Sequence, residues 1–356
     1  MTVDPIHITL VLASILCVLS YLPLVPSRHW FFRLFDFIRL QLLALLLLIF
    51  LVLLVFAFKA WSSAILLGLV AVSVTIFYQL WVVAPYFSKG SSTAASEGIR
   101  LLSLNVMQQN NSYQKVLDLV ERLAPDIVLL METDSNWDKA MESLEETHPQ
   151  HIKIPKDNKY GMQCYTRLEM VQGEAKYLIS EEHPSVRMEL RTANNRSFCF
   201  WGIHPPPPSP TEKPTAKQKD AELLKLAALL ADSNCPTLVA GDFNVVCWSQ
   251  ISKRFAALSK LKDARIGRGF FSTFPARWPL LRFPLDLLFH SKGIRINQLR
   301  VLEPVDSDHL PLFTAFEIQE HAQKEKESLN SEERQEVQET VVAGKAAAQK
   351  ENKSEG

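Results

Sequence analysis

Apolar residues follow two different patterns along this chain. Over Ile6–Pro26, Leu40–Phe58 and about Trp61–Ala84 they run nearly unbroken. Each run approaches the ~20 residues that a helix needs to cross a bilayer. The middle run, from Leu42 onward, has no polar face, unlike a helix packed at the surface of a soluble protein. The pattern predicts three transmembrane helices, over about 6–26, 40–58 and 61–84, in preference to a buried helical hairpin. The extreme N-terminus carries Asp4 and no basic residue, unlike a cleavable signal peptide. Beyond a Ser-, Ala-, Gly- and Thr-rich linker over 89–98, shorter runs take over. Strands are predicted at Ile99–Asn105, Ile127–Glu132, Ser185–Arg191, Ser197–Ile203, Thr237–Ala240, Leu285–Phe289 and Leu312–Ile318. Helical spacing appears at Tyr113–Leu123 and Gln218–Ala231. Many strands with few helices between them imply two packed sheets with helices outside, in one domain over 99–318. The remainder, 319–356, is rich in Glu, Lys, Gln and Ala and has no aromatic residue; it reads as a charged disordered tail or a loose solvated helix.

Composition and charge refine this picture in three places. Among the 356 residues, 38 basic and 38 acidic side chains leave no net charge, so no global field draws in nucleic acid. Arg28, Arg33 and Arg39 lie between the first two apolar runs, against Lys59 alone between the second and third. The positive-inside rule places that first connection, and with three spans also the C-terminal domain, in the cytoplasm. The localisation expected is a multi-pass membrane protein. Of the five cysteines, Cys164, Cys199, Cys235 and Cys247 show no C-x-x-C spacing; they read as core thiols rather than a zinc site.

Charged and amide side chains collect at strand ends, where a core can hold them rigid. Asn105 ends one strand and Glu132 another. Glu132 either binds a hard cation or caps the helix that Thr133-Asp134-Ser135 would begin. His204 follows a strand and precedes the prolines 205–208; by itself it suits a satisfied histidine as well as a functional one. In Gly241-Asp242-Phe243-Asn244, strand geometry would point Asp242 and Asn244 to one side, although an Asp-rich turn is the bland alternative. Asp286 lies inside an apolar run, and a buried carboxylate needs a partner. His309 in Ser307-Asp308-His309 is the obvious one, leaving Asp308 free to face a metal. Carboxylates beside amides and imidazoles are equipment for metal-assisted hydrolysis.

Taken in order, these pieces resemble the exonuclease–endonuclease–phosphatase superfamily: Leu102-Ser103-Leu104-Asn105-Val106, Pro125-Asp126 through Glu132, Gly202-Ile203-His204, Gly241-Asp242-Phe243-Asn244, the Asp286 strand, and Ser307-Asp308-His309. The resemblance covers roughly 99–318 and excludes the apolar helices and the tail. It implies a four-layer α/β/β/α sandwich and a phosphoesterase using Mg²⁺ or Mn²⁺, here in a bacterial, inner-membrane-anchored form. By position it makes Glu132 the main metal ligand, with Asn105 beside it and Asp308 near. It makes Asp242 the group that activates water, Asn244 the holder of the scissile phosphate, and His309, oriented by Asp286, the stabiliser of the transition state. His204 would contact phosphate or the leaving group. Met107 stands where repair nucleases carry an acid, so Asn110 or Asn111 would take part instead, Asn110 as a substrate contact. Gly161-Met162-Gln163-Cys164-Tyr165-Thr166-Arg167 resembles a family stretch with Thr for Ser, and Arg277 and Arg282, in the loop before the Asp286 strand, either bind phosphate or are two solvated arginines. The substrate implied is a phosphodiester, nucleic acid by default or a phospholipid headgroup given the anchor. An inactive scaffold is the remaining alternative, and no protein partner is inferable.

Overall fold

A computed structural model describes residues 4–87, 98–209, 215–320 and 328–352. It divides into two compact units, Met1–Phe87 and Ser88–Gly356. The expected linker over 89–98 lies outside the described residues, except for Gly98.

The first unit is helical: α1 (Pro5–Tyr21), α2 (Trp30–Phe37), α3 (Arg39–Lys59) and α4 (Ser63–Val83). Asp4 caps α1 by accepting a bond from the Ile6 amide at 3.0 Å, with Pro5 in the first turn. Ser62 caps α4 in the same way through the Ile65 amide. With their flanking turns, Pro5–Leu24, Arg39–Lys59 and Ser63–Tyr86 are each long and apolar enough to cross a membrane. Leu46, Leu53 and Val72 are buried among them, while Val18, Leu48 and Phe77 face outward. The connection between the first two runs, expected to be a plain loop, contains α2. His29 caps this helix by accepting from the Phe31 amide. Arg39 is buried there, donating to Asp36 at 2.8 Å and to Gln79.

The second unit runs β1 (Ile99–Asn105), α5 (Tyr113–Leu123), β2 (Ile127–Met131), α6 (Ser135–Ala140), α7 (Leu144–Thr147), β3 (Gln150–Ile154), β4 (Met162–Thr166), β5 (Glu169–Tyr177), β6 (Pro184–Arg191) and β7 (Ser197–Ile203). It continues with α8 (Lys217–Ala231), β8 (Thr237–Asp242), α9 (Gln250–Ser259), β9 (Lys262–Asp263), β10 (Asp286–His290), β11 (Ile294–Val301), β12 (Leu312–Ile318) and α10 (Ser331–Asn352). Two six-stranded sheets form, in the orders β11-β12-β1-β2-β4-β3 and β5-β6-β7-β8-β10-β9. Each has one parallel pair, β1–β2 and β7–β8, joined by a crossover helix, α5 and α8 respectively.

Period-2 alternation assigns the faces. Leu101, Leu129 and Met131 meet Phe200, Leu238 and Leu288 between the sheets, while Leu102, Leu104, Val128 and Leu130 turn outward onto Val116, Leu119 and Val120 of α5. The architecture is the expected α/β/β/α sandwich. The strands that the alternation did not reveal are polar or short. β5, at the edge of its sheet, reads Glu-Met-Val-Gln-Gly-Glu-Ala-Lys-Tyr and pairs its acids across to Arg187 and Arg191.

Two expectations need correction. The tail is not wholly disordered, because residues 331–352 form α10 against α8. Its charged composition masks a close-packing point: a Cβ at Gly344 would lie 2.3 Å from the Ala221 Cβ. Gln218 donates to Glu351 at 2.7 Å and Arg254 of α9 pairs with Glu336. Residues 321–327 and 353–356 of the tail lie outside the described residues. The four cysteines of the domain are not all thiols either. Cys199 and Cys235 form a disulfide, while Cys164 and Cys247 are buried. The pairing follows from topology: parallel β7 and β8 set Cys199 beside Thr237, two residues past Cys235.

Candidate active site

The site begins where the inner faces of the two sheets run out of apolar residues. Asn105 has the parity of Leu101, Asp242 that of Leu238 and Ala240, and Asp286 that of Leu288. Alternation therefore aims all three between the sheets, one or two residues beyond the core. Asp242 and Asp286 are direct cross-strand partners in the β8–β10 ladder. Glu132 breaks the alternation, which would turn it outward with Val128 and Leu130. Its backbone takes φ 63°, a left-handed conformation that re-aims the side chain. Two glycines permit this crowding. A Cβ at Gly161 would lie 1.7 Å from the Thr133 carbonyl oxygen, and one at Gly241 (φ 144°) 2.0 Å from that of Ile203.

The contacts bind residues from distant parts of the chain into one network. The Asn105 amide donates to Glu132 Oε1 at 2.8 Å and to Asp242 Oδ2 at 3.2 Å. Asp242 is 1% exposed, and its backbone N–H reaches across the sheets to the sulfur of Met131. His309 Nδ1 lies 2.8 Å from Asp286 Oδ2, and its Nε2 lies 3.5 Å from Asp242 Oδ2. His204 Nε2 lies 3.7 Å from the same Asp242 oxygen. The other nitrogen of His204 is buried with no hydrogen-bond partner among the described residues, and the Tyr160 ring packs 5.3 Å away.

Charge follows from these neighbours. Burial alone would lower the pKa of His309, but the carboxylates of Asp286, Asp242 and Asp308 outweigh it and raise it to about 10. The imidazole is therefore a cation. Burial also opposes ionisation of Asp286, but the His309 charge and hydrogen bond hold its carboxyl below the usual range. Asp242 moves the other way, pushed up by burial and by Asp286, with His309 and His204 opposing. Asp308 reaches solvent at the mouth. Partial desolvation raises it, His309 opposes, and the charges of Glu132 and Asp242 add to the rise.

The structure brings together Asn105, Glu132, His204, Asp242, Asp286 and His309, with Asp308 beside them. Asn244 adjoins the group: its backbone N–H donates to Asp242 Oδ1 at 2.9 Å, but its side-chain amide donates to the Pro205 carbonyl and so ties the loop to the proline run. Asn110 does not join. It is 5% exposed and donates to the carbonyls of Val106 and Val305, a brace for the loop after β1. Arg277 is exposed and its guanidinium lies over the Trp278 ring. Sequence reasoning missed several supports. The Ser307 hydroxyl donates to the Asn105 carbonyl and accepts the His309 N–H. The Gln108 N–H donates to Glu132 Oε2. Lys219, on buried α8, donates to the Asn244 carbonyl. Only Ser307 carried a signal, its place in the Ser-Asp-His triplet.

Asp242, Asp286 and His309 offer ligand atoms within 4.8 Å of one another and by spacing could hold a metal ion. Chemistry qualifies that grouping, because a protonated imidazole has no free lone pair for a metal. Glu132 and, at the mouth, Asp308 offer the harder oxygen donors that Mg²⁺ and Mn²⁺ prefer, while Asn105 turns its amide nitrogen to Glu132 and its oxygen to the Met107 N–H.

Comparison with known proteins agrees with this fold. The catalytic domain of human Nocturnin with bound sulfate superimposes with a TM-score of 0.51 at 20% identity, covering 62% of this chain and 94% of that one. TDP2 of D. rerio complexed with single-strand DNA product gives 0.52 at 13% identity, covering 61% and 98%. A functionally unknown conserved protein from Enterococcus faecalis V583 gives 0.51 at 17% identity, covering 62% and 100%. At such identities these likenesses show the fold alone. No curated protein matches the chain. The model of the Endonuclease/Exonuclease/phosphatase family matches residues 102–309, more than half of the chain, and the protein belongs to that family.

Proposed function

We propose that the protein is a membrane-anchored, divalent-metal-dependent phosphodiesterase of the nuclease type. The observation that carries this reading is the convergence of a buried Asp242 on two imidazoles, one of them cationic through Asp286. In this reading Asp242 accepts the proton of a water whose oxygen attacks phosphorus, and the ester P–O bond to the leaving alkoxide breaks. The His309 cation, fixed by Asp286, meets the charge that builds on the phosphoryl oxygens. His204, with a buried nitrogen that has no described partner, is placed to bind a phosphate oxygen. A Mg²⁺ or Mn²⁺ held by Glu132, Asn105 and Asp308 would add charge neutralisation at the phosphate. The single-strand DNA product in the TDP2 complex supports nucleic acid as substrate. Three apolar helices on a chain with no net charge favour a second reading, a phospholipid headgroup ester.

The test uses the full chain in detergent, since α10 covers α8 and a truncated domain would uncover it. Hydrolysis of bis-p-nitrophenyl phosphate is expected with Mg²⁺ or Mn²⁺, to be lost on chelation and in Asp242→Ala. No turnover, or turnover indifferent to Asp242→Ala, leaves the scaffold reading in its place. Plasmid DNA, RNA and phospholipid vesicles assayed side by side then separate the substrates. Arg28, Arg33 and Arg39 favour a cytoplasmic domain, whereas the Cys199–Cys235 disulfide favours an oxidising compartment. Strong alkaline phosphatase activity in a C-terminal fusion would place the domain outside the cytoplasm.

A further inference from the structure

Between β9 and β10 the chain builds a finger at the edge of the active site. Its base is a bridge between Phe274 and Phe283, where the Thr273 and Phe274 amides both donate to the Phe283 carbonyl. The base is fixed to the catalytic loop: the Phe274 ring lies 4.8 Å from the His309 ring, and the Ala276 N–H donates to the Asp308 carbonyl at 2.7 Å. The tip, Arg277-Trp278-Pro279-Leu280-Leu281-Arg282, has the opposite character. Leu280 is 90% exposed, Trp278 56% and Leu281 47%. Scattered exposed hydrophobes are ordinary and need no explanation. These three, however, fall within four residues, on a finger tied down at its base and flanked on both sides by arginine.

The chemistry of the tip fits one partner in particular. Tryptophan prefers the boundary between headgroups and hydrocarbon, where its ring is half apolar and its N–H meets water. Leucines beyond it reach apolar chains, and arginines snorkel back toward anionic headgroups. From Ala264 to Leu285 there are four arginines and no acidic residue, so nothing in the segment repels a negative surface. Ten residues, 88–97, lie in sequence between Phe87 and Gly98, and ten residues of chain span at most about 35 Å. The finger is thus held at high effective concentration near any bilayer those helices enter.

We propose that the 277–282 finger is a second, peripheral membrane contact. Trp278, Leu280 and Leu281 enter the interface of a bilayer bearing anionic lipid, the exposed Arg277 meets its headgroups while Arg282 braces the finger through the Ala276 carbonyl, and the mouth beside Asp308 and His309 faces the membrane surface. The inference rests on reading the three apolar helices as membrane spans, but on neither the turnover nor the identity of the ester. Burial of so little apolar surface is a weak anchor by itself; its effect is to orient a domain that the helices already tether.

The full chain carrying Leu280→Cys with a nitroxide label, reconstituted in phosphatidylcholine vesicles with or without phosphatidylglycerol, tests it. Collision with oxygen should exceed collision with a water-soluble nickel chelate several-fold relative to the same label at Val171→Cys, exposed on the far edge strand β5. The excess should grow with phosphatidylglycerol. Adding Arg277→Gln should lower the docked fraction about fivefold, the attraction of one arginine to an anionic surface. A label at 280 as open to nickel as the one at 171 overturns the proposal, as does protection equal in both vesicle types and unmoved by Arg277→Gln, which points to a protein surface covering the finger. Carbonate-resistant flotation of the same sample reads the spans separately. Chain that floats with an aqueous label at 280 refutes the finger alone; chain that is stripped refutes the spans and the finger with them.

Discussion

The β1–α5–β2 and β7–α8–β8 crossovers play equivalent parts in the two sheets under different conditions. Each is a parallel pair whose strand ends carry two site residues, Asn105 and Glu132 from the first, His204 and Asp242 from the second. The first is closed by packing and by Arg100, whose backbone N–H donates to Asp126 and whose guanidinium donates to the Leu123 carbonyl, and α5 buries only one stripe, Val116, Leu119 and Val120. The second is closed by the Cys199–Cys235 bond and covered by α10. Its helix buries Lys219, Asp220 and Glu222 as well as Leu223, Leu224, Leu226 and Leu230. The lesson concerns what charge does once buried. Asp242, at the end of β8, faces two imidazoles. Glu222, on α8, has among the described residues a single 3.5 Å hydrogen bond, from Ser185, and burial raises its pKa to about 8 against that bond and Lys225. Partners, more than depth, decide which carboxylate is equipped for chemistry.

The strongest way to sharpen this contrast is at the strand ends. Asp242→Asn should lower kcat by ~10²–10⁴-fold with the melting temperature intact or raised, because it removes a buried charge; Glu222→Gln should leave kcat unchanged. Activity of both variants on one soluble ester separates them.

Glu222 instead governs stability against pH. Its carboxyl titrates near 4.5 when unfolded and near 8 in the native state. Between those values the unfolded chain has released a proton that the native state keeps, so stability falls as pH rises from about 4.5 to about 8 and then levels. The fall is on the order of 5 kcal/mol. Glu222→Gln should flatten that window, and denaturant midpoints at pH 5 and pH 8.5 would show it. A slope unchanged in the variant breaks the assignment.

The disulfide closes a segment with a sequence separation of 36 residues. Its loss by Cys235→Ser should cost about 3–4 kcal/mol on the chain-entropy account. Reductant should reproduce that loss in the native chain and do nothing further to the variant. A smaller effect belongs to the cover. Gly344→Leu forces a side chain toward Ala221 and the Lys217 carbonyl and should cost about 1–3 kcal/mol. By comparison, Glu121→Ala on the open side of α5 should stay within about 0.5 kcal/mol.

Much of this was legible in the residues. The strands over 99–105, 197–203 and 312–318 and the helix over 113–123 fall where the patterns put them. Once the two sheets are packed, parity aims Asn105, Asp242 and Asp286 into one cleft, and the cost of burying Asp286 pointed to His309. Other features were hidden because their signal lies in distant partners. Asn110 looks like a ligand in sequence, and only the Val106 and Val305 carbonyls show it to be a brace. The exposure of Trp278 and Leu280 depends on the Phe274–Phe283 bridge, a pairing that no local pattern announces.

The sequence by itself determined the membrane-competent helices, the period-2 faces of the central strands and the residues at their ends. These are local properties, set by side-chain spacing of 3.6 or 2 residues and by the cost of burying charge. Tertiary structure alone decided the Cys199–Cys235 pairing, the docking of α10 on α8, the left-handed turn at Glu132 and the cation at His309. Each depends on groups far apart in the chain, whose distance and desolvation exist only once the sheets have packed.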